Sequence, residues 1–184
     1  LAREIVRVVK KGAGKLPVSI KTRIGYYKNE LDSWLPELLV EKPAAINIHT
    51  RPRKELSKTP ARWEYIREAV AIRNKMKSKT LIIGNGDVAD LADAYAKAET
   101  SGADGVMLGR ALFGRPWLFQ YSQEYENVDI GKRLKILLEH TKLFVKLLSK
   151  HKSCAVMKKH FKAYVSGFPG AKDLRAKLMA TKNV

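Results

Sequence analysis

Four short apolar runs, about 25–35 residues apart and separated by helical patterns, constrain this chain more than any other feature. They are VSIK (18–21), AAINIH (44–49), TLIIGN (80–85) and GVMLGR (105–110). Each is β-rich or nearly continuous in apolar residues, as strands buried on both faces tend to be. Between them, residues 30–41 carry Leu31, Trp34, Leu35, Leu38 and Leu39 at helical spacing. Residues 60–76 are expected to form a helix capped by Thr59, with Pro60 at its first position and Trp63, Ile66 and Val70 on its apolar side. The Ala-rich residues 89–101 stop at Gly102, a helix terminator. The order β-α-β-α-β-α-β means parallel strands joined by crossover helices. An open doubly wound sheet and a (β/α)8 barrel both fit that order. The polar residues favour the barrel. Lys21, His49, Asn85 with Asp87, and Arg110 all fall at or just beyond a strand's C-terminal end, the rim where barrels place their chemistry. An open sheet would gather its site at one switch point.

A barrel alone takes about 250 residues, so 184 are too few for a barrel plus a further domain. The expected architecture is α/β: the C-terminal half of a (β/α)8 TIM barrel, four βα units over residues 1–125, then a small all-helical domain over 129–184. Residues 120–131 are the linker candidate. Leu1 in place of Met fits a fragment or a processed chain.

Charge bears on partners rather than on fold. The chain has 36 Lys and Arg against 18 Asp and Glu, a net +18. Nucleic acid and anionic membrane are the matching partners, unless the whole proteome is basic. The excess is concentrated: residues 129–184 hold 14 Lys and Arg against 3 Asp and Glu, a patch of the kind that tracks phosphates. Within residues 132–150, Leu134, Leu137, Leu138, Thr141, Val145 and Leu148 share one helical face. Lys135, Lys142, Lys146 and Lys150 line the opposite side, which taken alone reads equally well as a solvated face. The run MKKHFKAYVSGFPGAKDLRAKL tilts the reading towards RNA, because it adds Lys with His160, Phe161 and Tyr164 interleaved. No apolar run approaches the roughly 18 residues that span a bilayer. The start, LAREIVRVVKKGAGK, lacks the pattern of a signal peptide. A single cysteine, Cys154, argues for a reducing compartment. A cytoplasmic monomer is expected.

Four segments carry candidate chemistry. In GNGDV (84–88), Gly84 and Gly86 let the backbone turn and approach a ligand, while Asn85 and Asp87 suit a polar cofactor edge or ribityl chain. The plainer alternative is a strand-to-helix turn with Asp87 as cap. In GVMLGRALFGRPWLF (105–119), Gly109 and Arg110 end a strand before a short helical segment. Backbone N–H groups plus one guanidinium make a phosphate site, unless Arg110 is only a surface cation. KTR (21–23) and IHTRPR (48–53) add cations on the earlier strands. Lys21 can stabilise negative charge on a reduced flavin, His49 can hold a ring or substrate edge, and Arg51 and Arg53 can meet phosphates. His140, His151 and His160 lack metal-ligand spacing with acidic or Cys partners, so no metal is expected.

PVSIKTRIG, INIHTRPR, ARW, LIIGNGD and DGVMLGRALFGRPWLF stand in the order found in tRNA-dihydrouridine synthases, and the MKKH run is similar to that family's helical domain. The resemblance covers nearly the whole chain, and its motifs together are highly specific. It implies an FMN-bound barrel that reduces the C5=C6 bond of uridine in tRNA, with NADPH recharging the flavin. By the same resemblance, Lys21, His49, Asn85, Gly86, Asp87, Gly109 and Arg110 contact the cofactor. Arg23 and Arg51 lie near the flavin and the flipped-out uridine, and Arg53, Lys158, Lys159 and His160 meet the tRNA. Flipping costs a few kcal/mol, and the helical segment clamps tRNA by phosphate contacts and shape. HTRPR departs from the more usual HGRTR, with Thr50 for Gly and Pro52 for Thr. The family's proton-donating Cys and its N-terminal flavin-binding segment belong to the first half of the barrel. Cys154 does not match that Cys, so the 184 residues alone are expected to be inactive. An FMN- or phosphate-binding barrel acting on a small molecule would explain the loops but not the basic tail. A non-catalytic RNA-binding module would leave the strand-end groups idle, and a membrane-surface protein lacks a long apolar face.

Overall fold

A computed structural model describes residues 1–120 and 128–181. Contacts divide it into two compact units, Leu1–Arg110 and Ala111–Val184. The first alternates helix and strand: α1 (Ala2–Ala13), β1 (Ser19–Arg23), α2 (Leu31–Leu39), β2 (Ala45–His49), α3 (Glu64–Lys75), β3 (Leu81–Asn85), α4 (Leu91–Ser101) and β4 (Gly105–Met107). The strands form one sheet in the order β1-β2-β3-β4, all parallel, as the apolar runs predict.

Alternation along the strands sorts side chains between two faces. Ile46, Ile48 and Ile82 point at the helices and bury against Leu31, Leu35, Leu38, Leu39, Ile66 and Ala69, all at most 2% exposed. The other face carries Lys21, Arg23, Asn47, His49, Ile83, Asn85 and Met107. This is the alternation a barrel wall needs, with polar residues gathered towards one end.

Two local features differ from the sequence reading. Helix α1 was not foreseen in the basic opening segment; it is held by charge rather than burial. Arg3 and Arg7 donate to the Glu41 carboxylate at 2.7–2.8 Å, and Lys10 donates to the carbonyls of Glu41 and Lys42. Hydrogen bonds from Arg7 and Arg3 push the Glu41 carboxyl down to about 2. Helix α3 begins at Glu64, not at Pro60. Thr59 is unavailable as its cap, because its hydroxyl donates to Glu55 and its carbonyl accepts from Arg51. Gly102 does end α4, in the left-handed conformation.

The second unit holds α5 (Ile130–Leu148), α6 (Ala155–Tyr164) and α7 (Ala171–Ala180). Its core joins Trp117, Leu137, Phe144, Met157, Phe161, Tyr164, Val165 and Ala171. Residues 111–119 therefore side with the helices, although the sequence reading grouped them with the strands. The rest of the expected linker, residues 121–127, lies outside the described residues. The buried face of α5 runs Leu137, Thr141 and Phe144, whereas Leu138 and Leu148 are 55% and 44% exposed, so the packed stripe is rotated from the expected one. Lys135, Lys142, Lys146 and Lys150 are all exposed, as expected. Gly114, at φ +75, lies so close to the Ala163 carbonyl that a Cβ would stand 2.7 Å from it. Among the described residues, no helix is long and apolar enough to cross a membrane.

Candidate functional site

Parallel register aligns the strand ends. Arg23, His49, Asn85 and Met107 occupy one row across the sheet, and Lys21 lies in the row beneath, opposite Asn47. The side chains on this rim are tied to one another. Lys21 Nζ donates to Asn85 Oδ1 at 3.0 Å, and Asn85 Nδ2 donates to the Met107 carbonyl at 2.8 Å. One amide thus bridges β1 to β4. Burial and the nearby Arg23 hold the Lys21 ammonium below its ordinary pKa.

The loops above the row are organised around Arg51. It is only 2% exposed, and its guanidinium points inward. Nε donates to the Thr59 carbonyl at 2.6 Å, Nη1 to His49 Nε2 at 2.9 Å, and Nη2 to Asp87 Oδ2. The sequence reading placed Arg51 against phosphate or uridine; the structure places it inside the protein, where it shapes the rim from behind. Asp87, at φ +48, also accepts from the Ala61 amide at 2.9 Å and from Arg110 Nη2 at 2.6 Å. Partial burial pushes its carboxyl up, but the Ala61 amide, Arg51 and Arg110 outweigh that and hold it below the usual range. Asp87 is not the helix cap. Asp90 fills that role, accepting from the Asp93 amide at 2.8 Å.

The two glycines of the loop serve different purposes. Gly86 has φ +130, and a Cβ there would stand 2.8 Å from Ala61 Cβ and 3.1 Å from the His49 ring. Gly84 lies in the strand, and its lack of a side chain admits Trp63, whose ring would be 2.3 Å from a Cβ. Trp63 in turn donates from Nε1 to the Gly86 carbonyl at 2.9 Å. Sequence reasoning saw Trp63 as an apolar helix position and as part of the ARW motif, and missed that it pins the loop. It missed Asn47 as well, whose Oδ1 is buried without a hydrogen-bond partner while Nδ2 meets Met107 Sδ at 3.1 Å.

His49 is held neutral. Burial first, then Arg23, Arg51 and Lys21, lower its pKa to about 4, against a small opposing effect of Asp87. Because Nε2 accepts from Arg51, the ring proton belongs on Nδ1, the atom left to donate. The depressed pKa has a consequence for stability. Above the unfolded value the ring is neutral in both states. As pH falls towards 4 the unfolded chain takes up a proton that the folded chain refuses, so stability is lost. After allowance for solvent screening the loss should be on the order of 1–2 kcal/mol. Urea unfolding between pH 7.5 and 4 should therefore fall more steeply for the parent chain than for His49→Gln. Parallel curves would exclude the effect.

Two cavities adjoin the row. One of about 890 Å3 is lined by Lys21, Arg23, Tyr26, Trp34, His49, Arg53 and Asn85, among others. A smaller one of about 240 Å3 is lined by His49, Asn85, Gly86, Asp87, Gly109 and Arg110, among others. No atom lies within 4 Å of where a Gly109 Cβ would be, so that backbone is open to close approach. Arg23 is spent partly on structure, donating to the Pro52 and Leu56 carbonyls at 3.1 and 3.0 Å.

The helical unit disposes of its expected contacts unevenly. Lys159 is exposed, whereas Lys158 Nζ donates to the Met179 carbonyl at 2.7 Å. His160 is half-buried, edge-on to Phe113 and His140 at 5.3 and 4.9 Å. Phe161 and Tyr164, expected among the RNA-facing residues, belong to the core. Cys154 packs partly against the same core.

The family model for dihydrouridine synthase (Dus) matches residues 1–184. A probable tRNA-dihydrouridine synthase of Staphylococcus aureus (strain Mu50 / ATCC 700699) is 37% identical over 190 residues. The probable tRNA-dihydrouridine synthase 2 of Bacillus subtilis (strain 168) is 35% identical over 185 residues. Each alignment covers 100% of this chain and 56% of the relative, so the chain spans about half the length of these proteins. A solved structure of 2,3-dimethylmalate lyase aligns over 97% of this chain and 75% of its own, with a TM-score of 0.44 and 12% identity, too distant to bear on fold or function. With the family model matched from the first residue to the last, and the strand-end row and GNGD loop falling inside that match, the chain belongs to the dihydrouridine synthase family.

Proposed function

We propose that these residues form the C-terminal part of a flavin-dependent enzyme that reduces uridine to 5,6-dihydrouridine in tRNA. The four strands would be the second half of a (β/α)8 barrel, and residues 129–184 a tRNA-binding helical domain. The observation that carries this reading is the convergence of Lys21, His49 and Asn85 at the C-terminal ends of three neighbouring strands, beside Arg110. The residues present fit a flavin mononucleotide. Lys21, His49 and Asn85 offer donors for a polar ring edge. The open Gly109 backbone and the Arg110 guanidinium, whose side chain is 67% exposed, suit a phosphate.

Bound there, FMN would supply hydride to the uridine ring, and NADPH would recharge it. This chain's own residues orient and polarise. Lys21 brings a cation to the rim, fixed by Asn85. Neutral His49 presents a donor without adding charge. Asp87 neutralises Arg51 and steadies Arg110. Arg53, Lys159 and the exposed lysines of α5 are the cations placed to meet tRNA phosphates, in a cytoplasmic enzyme that acts as a monomer.

Binding of FMN is testable on the chain itself. Titrated FMN should move the backbone amide NMR signals of Gly86, Gly109 and Arg110, and Arg110→Ala should weaken that response about tenfold, the loss of one charge-assisted contact. No shift at saturating FMN would break the reading at its cofactor. The reaction is tested by extending the protein upstream to its relatives' length and supplying NADPH and unmodified tRNA. Uridine should gain two hydrogens by mass spectrometry.

A further inference from the structure

The loop between β1 and α2 exposes two adjacent aromatic rings that the core does not use. Tyr26 and Tyr27 are 51% and 72% exposed. Their rings meet edge to face, with centroids 4.7 Å apart and planes at 72°. Lys54, from the loop after β2, holds its ammonium 5.5 Å from both centroids. Exposed side chains are usually mobile, yet the backbone beneath these is clamped. The Tyr26 amide donates to Glu30 Oε2 at 2.7 Å, and the Tyr26 carbonyl accepts from the Lys54 amide at 3.0 Å. The Gly25 carbonyl accepts from the Arg53 amide at 2.9 Å. Gly25 is itself locked in, since a Cβ there would stand 2.1 Å from the Lys28 carbonyl. Tyr26 is thus offered from a clamped backbone with the Tyr27 ring against it, which lowers the ordering cost to whatever binds them.

Position says what could bind. Tyr26 and Arg53 line the 890 Å3 cavity whose other walls include Lys21, His49 and Asn85. Tyr27 and Lys54, both exposed, adjoin the Tyr26 ring. Exposed aromatic faces beside cations are the combination that takes unpaired nucleotides: the ring stacks on the base, and the cation meets the ring face or a phosphate. We propose that Tyr26, Tyr27 and Lys54 form a stacking platform for an unpaired RNA nucleobase next to the nucleotide that enters the cavity. The platform rests on the reading of this rim as an RNA-reacting site. It adds that the strand unit, and not only the basic helices, holds the substrate through its bases.

The test uses the 184-residue chain and a fluorescein-labelled short oligouridylate, with affinity read by anisotropy across a salt series. The double variant Tyr26→Ala/Tyr27→Ala should weaken binding about tenfold or more and leave the salt dependence unchanged, because stacking releases no counterions. Tyr26→Phe/Tyr27→Phe keeps the ring faces and should bind within about twofold of the parent. Lys158→Ala/Lys159→Ala should instead flatten the salt dependence. Circular dichroism checks that the alanine variant folds, and the phenylalanine variant supplies the comparison if it does not. Equal affinity of the alanine and parent chains overturns the platform, as does a parent chain that binds no oligouridylate. FMN-induced amide shifts, recorded on the same proteins, separate the two ideas. Intact shifts with unchanged RNA affinity overturn the platform alone. Absent shifts overturn the flavin reading, and the RNA comparison still decides the platform.

Discussion

Asp87→Ala is expected to cost the chain about 3 kcal/mol of folding stability, the usual price of stranding one partner of a buried ion pair. Arg51 is 2% exposed, with its guanidinium held by protein acceptors. Three acceptors hold its guanidinium, and Asp87 is the only anion among them. Without that carboxylate the charge stays buried against His49 and Thr59, and the Ala61 amide loses its acceptor too. Arg110→Ala removes the other cation from the same carboxylate, but the Arg110 side chain is 67% exposed, so its loss should cost less than about 1 kcal/mol. The two variants therefore separate a buried partner from a surface one. Urea unfolding at neutral pH decides it: a loss below about 1 kcal/mol for Asp87→Ala would mean that Arg51 relaxes towards solvent. The carboxyl pKa lies below the ordinary value, so the contribution is present above the normal aspartate range and disappears as acid protonates Asp87.

The 184-residue chain by itself should form dihydrouridine no faster than a protein-free control, even with FMN, NADPH and tRNA supplied. On the function proposed above, Cys154 is not the proton donor that reduction of uridine requires. The one thiol present, Cys154, precedes α6 and packs against the helical core. The sheet face opposite the helices is also open: Leu81 at its far end and Met107 at the rim are 48% and 39% exposed. Water reaching that face would weaken every electrostatic contact the rim makes. Nucleoside analysis of tRNA after prolonged incubation is the measurement. Turnover approaching that of the upstream-extended protein would mean that this half carries its own acid.

The strands were legible because short runs rich in Ile, Val and Leu stand between helical patterns, although only their helix-facing side is fully buried. Most of the strand-end residues were legible too, since Lys21, His49 and Asn85 each close such a run, although β1 continues to Arg23 and sets Lys21 one row lower. What could not be read depends on distance in sequence. Arg51 looks like a surface cation until Asp87, 36 positions away, arrives beside it. The same holds for Thr59, a good cap by type whose hydroxyl and carbonyl are claimed by Glu55 and Arg51. Leucine spacing got only part of the α5 stripe: Leu137 and Thr141 are buried as expected, but Phe144 joins them while Leu138 and Leu148 stay exposed. Helix α1 was invisible because its anchor is the carboxylate of Glu41, not an apolar face. Tyr26 and Tyr27 drew no notice because an exposed aromatic pair has no periodicity.

The shared register of β1, β2 and β3 also limits how this gene can vary. Side chains alternate between faces at every residue, so one residue lost or gained inside Ala45–His49 would turn His49 towards the helices and bring Ile48 to the rim. The same slip in Leu81–Asn85 would exchange Asn85 for Gly84 and leave Trp63 without its slot. Insertions and deletions should therefore accumulate on the helix side, in the turns that lead into each strand. The strands and the loops that leave them should keep their lengths even where their residues change.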